Sequence, residues 1–101
     1  MKSVDQELVI HATSPETLLD TPEEITSLLP PESFLILDAT NELEARSRER
    51  YHGFINHLKD QFVKKDSIGI FHCIDQQNLP PLRGLTLHRA DYVWQIELLV
   101  L

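Results

Sequence analysis

The residues Phe34-Leu35-Ile36-Leu37-Asp38 form an uninterrupted apolar run closed by a carboxylate. A run this short lacks the length of a helix and the alternation of a half-wet strand. It reads as a strand buried on both faces, as the central strands of parallel sheets are. A second run of the same kind spans Ser67 to Ile74. Between them, from about Glu42 to Lys65, the period becomes helical: Tyr51, Phe54, Ile55, Leu58 and Phe62 fall on one core-facing stripe. Strand, helix, strand in that order predicts a crossover that lays the two strands side by side and parallel.

The flanks extend the pattern. Leu8-Val9-Ile10-His11-Ala12 is a short β-rich run and reads as a first strand. Two helix starts follow, Ser14 before Pro15 and Thr21 before Pro22, each a capping residue ahead of a proline at the first helical position. Glu24 stands three residues after Thr21, the capping-box spacing, and Ile25, Leu28 and Leu29 make one stripe that Pro30-Pro31 ends. On the long helix, Glu42/Arg46 and Glu44/Arg48 are acid-first pairs four apart and read as a solvated face. Gly53 reads as the place where that helix approaches the sheet. A polar loop from Asp75 to about Gly84 leads to a helical turn over Leu85 to Ala90. From Asp91 to Leu101 apolar residues alternate (Tyr92, Trp94, Ile96, Leu98, Val100), the mark of a strand with one buried face. The whole predicts one α/β domain over residues 1–101, three-layered, with a mainly parallel sheet of about four strands.

Composition narrows the function classes. A formal net charge of −7 argues against nucleic acid, whose phosphates need a basic face. Cys73 is the only cysteine, so no internal disulfide can form, and it reads as a small buried hydrophobe. An apolar run as short as Leu98 to Leu101 cannot span a bilayer, and the first residues lack the pattern of a signal peptide. These features predict a cytoplasmic protein with no membrane partner.

Chemistry would centre on Asp38. A carboxylate at the carboxyl end of a central strand lies where open α/β sheets bind ligands, and it offers the oxygen donors a magnesium ion prefers. The competing reading is an Asp that caps the turn Thr40-Asn41. The histidines lack zinc spacing: His52 and His57 are five apart on a helix, and His72 and Cys73 are neighbours on a strand, facing opposite ways. His72, read from its own position, is a strand histidine bonded to nearby backbone. Arg83 and Arg89 flank the late loop, where each is either paired with an acid or free to meet an anion of a neighbouring subunit.

The segment Phe34 to Leu43 resembles the Walker B strand and exit of the archaeal KaiC/RecA-like ATPases. The helix with Tyr51-His52-Gly53-Phe54-Ile55-Asn56-His57-Leu58, the strand Ser67 to Cys73 and the late segment Arg83 to Trp94, with Ala90-Asp91-Tyr92-Val93, follow in that family's order. The resemblance runs from about residue 8 to the end and implies a RecA-like partial domain. It would place Asp38 on magnesium and make His72 the sensor of a γ-phosphate. The phosphate loop G-x-x-x-x-G-K-S/T is missing: none of Gly53, Gly69 and Gly84 is followed by Lys-Ser or Lys-Thr. The family's loop and catalytic glutamate would lie upstream of Met1, so hydrolysis by this chain alone is not expected. The resemblance implies a degenerate domain acting in assembly or regulation, with a protein partner or second copy at the apolar edge Leu98-Leu101. The alternative is an ATPase half-site completed in trans, where a partner's phosphate loop brings Mg-ATP to Asp38.

Overall fold

The computed structural model describes residues 9–75 and 77–95, a small mixed α/β domain. Its elements are α1 (Pro15–Asp20), α2 (Pro22–Thr26), β1 (Phe34–Asp38), α3 (Asn41–Glu44), α4 (Arg48–Lys65), β2 (Ile68–His72) and α5 (Arg83–Arg89). β1 and β2 pair in parallel, in the register Phe34–Ile68, Leu35–Gly69, Ile36–Ile70, Leu37–Phe71 and Asp38–His72. The two apolar runs are therefore strands, and the crossover between them carries α4, as their order demands.

The α4 stripe is the core. Tyr51, Phe54, Ile55 and Leu58 are all at most 2% exposed and cluster with Leu19, Leu37, Leu43 and Leu82. Leu35, Phe62 and Phe71 pack against that cluster, so α4 covers the face of the sheet carrying Leu35 and Leu37. Asp66 then takes a left-handed conformation, φ 50°, and Ser67 N–H donates to the Phe62 carbonyl at 2.9 Å, turning the chain straight into β2. Lys65 Nζ reaches the Leu29 carbonyl at 2.9 Å and also the Thr26 carbonyl, satisfying the end of α2. Ser14 caps α1 as its sequence predicts, accepting from Thr17 N–H at 3.1 Å.

Several expectations are corrected. Residues 9–12 form no strand, and Val9 and Ile10 are exposed. Residues 91–95 form none either, while the rest of that predicted strand, including the edge Leu98-Leu101, lies outside the described residues. The sheet of about four strands is thus two-stranded among the described residues. β1 is not buried on both faces: Phe34 and Ile36 are 67% and 60% exposed. α2 stops at Thr26, so Leu28 is exposed and the buried group of this helix is Thr26, whose hydroxyl meets His57 Nε2 at 2.8 Å. Thr21 makes no side-chain cap, because its hydroxyl donates back to the Thr17 carbonyl.

The predicted helix from Glu42 is broken at residues 45–47. That break rotates Glu44 inward to full burial, so it pairs with Arg83 and not with Arg48. Gly53 is on the exposed side of α4, where an added Cβ would meet nothing within 4 Å. The close approach of helix and sheet is at Gly69 instead, where an added Cβ would lie 2.2 Å from the Phe62 ring.

Candidate functional site

The parallel register brings Asp38 and His72 opposite one another at the carboxyl ends of β1 and β2. His72 Nδ1 lies 2.8 Å from Asp38 Oδ1, with the two side chains 57% and 68% exposed. A carboxylate oxygen accepts, so the ring donates through Nδ1. The turn-cap reading of Asp38 and the backbone-bonded reading of the His72 ring are corrected. Asp38 bonds a histidine in place of the Thr40-Asn41 turn, and His72 bonds that carboxylate in place of backbone.

The neighbouring chain fixes this pair. The Asp38–Ala39 peptide is cis, and Thr40 N–H then donates to the His72 carbonyl at 2.9 Å, tying the two strand exits together. Asn41 adds a second tie. Its Nδ2 donates to the Ile74 carbonyl at 2.8 Å, and Ile74 N–H donates to its Oδ1 at 2.9 Å. The carboxamide thus acts toward Ile74 as a strand backbone would.

Beneath Asn41 lies a buried polar network that the sequence did not reveal. Arg83 Nε donates to both Glu44 oxygens at 3.0 Å, and its Nη atoms reach Asp75, Asn41 and the Ile74 carbonyl. Thr86 donates to Glu44 at 2.6 Å, which leaves Tyr51 as the donor to Thr86, also at 2.6 Å. Burial opposes the charge of Arg83, but the Glu44 hydrogen bond and charge outweigh it and hold the guanidinium above its ordinary range. Burial pushes the Tyr51 hydroxyl up, against the Thr86 bond. Arg83 is therefore an anchor of the site's floor and is not available to a neighbouring subunit. The only sequence signal for this network was the presence of Glu44 and Arg83, each with a nearer nominal partner or none.

A cavity of about 200 Å³ adjoins the strand ends, lined by Leu18, Leu37, Asp38, Ala39, Glu42 and Leu43 among others. Asp38 and Glu42 bring two carboxylates to its wall, a donor set of hard oxygens that suits a magnesium ion holding most of its own water. For a nucleotide's phosphates the fit ends there. Gly53 and Gly84 are in helices and Gly69 is in a strand, so no described glycine forms a phosphate cradle. Among the described residues no group of three or more His, Cys, Asp or Glu stands at metal-ligating distance, and no helix is long and apolar enough to cross a membrane. Cys73 is half-buried beside β2, and burial pushes its thiol up.

In comparisons with known proteins, residues 1–100 match a family described as Family of unknown function (DUF7125). No curated protein and no solved structure matches the chain.

Proposed function

The chain belongs to DUF7125, a family of unknown function, and we propose, from the sequence resemblance, that it is a KaiC/RecA-like partial domain and, from the geometry of its sheet, that it acts by assembly. The observation that carries this reading is the bare face of the sheet. Among the described residues α4 covers one face of β1–β2, while Phe34, Ile36 and Ile68 stay 67%, 60% and 54% exposed on the other. Parallel sheets are normally covered on both faces. The three-layered arrangement expected from the sequence would be completed by a second layer from another molecule.

The occupant proposed is a second copy of this chain. Asp38 and His72 stand side by side at the end of the bare face, an acid next to a base. Such a patch is complementary to itself under a two-fold axis, where each histidine faces the other copy's carboxylate. The apolar segment Leu98-Leu101, the other contact expected from the sequence, lies outside the described residues. A cytoplasmic location belongs to this reading.

Sedimentation velocity across about two decades of protein concentration tests it. The expected result is reversible self-association that Ile36→Glu abolishes while the thermal transition is retained. A chain that stays monomeric throughout overturns the reading.

The Asp38–His72 pair favours a second reading, the half-site completed in trans. Magnesium and a phosphate loop, both from outside this chain, would supply the charge neutralisation of phosphoryl transfer. Asp38 would hold the ion's water shell, and His72 Nε2 would face the terminal phosphate. Calorimetric titration with Mg-ATP separates the two. Micromolar binding lost in Asp38→Ala supports the half-site, and binding weaker than millimolar leaves assembly alone.

A further inference from the structure

In this acidic chain nearly every described cation has a partner. Arg46 and Arg50 pair with Glu16, Arg50 also with Asp20, Lys59 with Asp91, Lys64 with Asp60, and Arg83 with Glu44 and Asp75. Lys65 is used on backbone carbonyls. Arg48 and Arg89 are the described arginines with no carboxylate partner within 4.0 Å among the described residues, and both line one cavity. That cavity, of about 550 Å³, opens between the first turn of α4 and the last turn of α5, and its other walls are Glu49, His52, Leu85 and His88.

The donors there are under-used. Arg89 donates one Nη to Asn56, but its Nε is buried without an acceptor. Ser47, at the start of α4, makes no side-chain bond to the first-turn amides, so the positive end of an 18-residue helix is uncapped beside Arg48. Arg48 and His52 are four apart on α4 and share a side of it, facing His88 and Arg89 across the cavity. The volume suits a small ligand.

We propose that this cavity binds the phosphate group of a small soluble ligand. Arg48 and Arg89 supply the charged donors, His52 and His88 supply ring nitrogens around them, and Leu85 forms an apolar wall for the rest of the ligand. The guanidinium geometry favours an oxyanion with several acceptor oxygens. Glu49 is the one acid on the wall, and it opposes the bound charge. This site is remote from Asp38 and His72, which line neither the cavity nor its mouth, and it stands whether or not the assembly reading holds.

The test is titration of the full ¹⁵N-labelled chain with inorganic phosphate at constant ionic strength, followed by amide shifts. Saturable shifts confined to residues 48–52 and 85–89 are expected. Arg48→Gln and Arg89→Gln should each weaken binding at least about fivefold, and Glu49→Gln should tighten it about twofold or more, by the sign of the charge removed. Arg46→Gln, on a paired and separate arginine, should leave it unchanged. If Arg89→Gln unfolds the chain, the exposed Arg48 and Glu49 variants decide. Shifts that do not saturate, that spread over the surface, or that persist unaltered in Arg48→Gln overturn the proposal.

Discussion

At the scale of single residues, the molecule departs most from its apparent sequence logic at Glu44. Pairs four apart on a helix are a sound default, but a break at residues 45–47 and the arrival of Arg83 from the far end of the chain override it. Because the pair is fully buried, its members depend on each other more than on the fold around them. Arg83→Met strands a carboxylate in the core and should cost about 3–5 kcal/mol, read from urea unfolding midpoints. Glu44→Met combined with Arg83→Met should recover more than half of that loss, because an apolar pair needs no desolvation. Tyr51 gives a pH signature. Its hydroxyl is raised above its ordinary value of 10.0 by burial first, so the folded chain keeps a proton that the unfolded chain releases. The contribution is whole below the ordinary value and is lost progressively as pH rises from there through the raised value of the folded state. Cys73, raised from 9.0, acts in the same direction at slightly lower pH. Stability should therefore fall from about pH 9 upward. In Tyr51→Phe the part of the fall above pH 10 should disappear, as measured by denaturant midpoints across pH.

Among the elements, α4 and its contact with β2 determine which changes the fold tolerates. Ring edge and strand meet at Gly69, where a methyl group would overlap Phe62. Gly69→Ala should destabilise by about 1–3 kcal/mol through overpacking, and the smaller side chain of Phe62→Leu should relieve it in the double variant. Gly53 is the opposite case. It sits in the middle of a helix with open space around its Cα, so Gly53→Ala should stabilise by about 0.5–1 kcal/mol. Thermal melts of the two alanine variants should move in opposite directions. The stripe of Tyr51, Phe54, Ile55 and Leu58 was legible in the sequence because a helical period announces its buried face. The role of each glycine was not, because it depends on what stands across from it.

At the scale of the whole molecule, part of the architecture is legible in local pattern. Both strands, their parallel pairing and the Ser14 cap follow from short-range pattern and from the chirality and reach of a crossover. Asp38 and His72 were each identified alone, but their meeting depends on strand register, which no residue of either strand spells out. The flanking runs misled for a related reason. Val9-Ile10 and residues 91–95 have strand-like composition, yet a strand exists only where a neighbour accepts its hydrogen bonds. Likewise the uninterrupted run Phe34 to Leu37 indicated burial on both faces, and the described chain supplies a cover for one.

The Asn41 clamp carries a dynamic consequence. Ile74 lies past the end of β2 on the exposed surface, where a loop amide would trade its hydrogen with solvent freely. Because its N–H is held by a side chain that is itself gripped by the buried Arg83, that amide opens only when the floor of the molecule does. The strand exits that carry Asp38 and His72 are thus tied to the same cooperative unit as the core, which holds the two groups in place before any encounter.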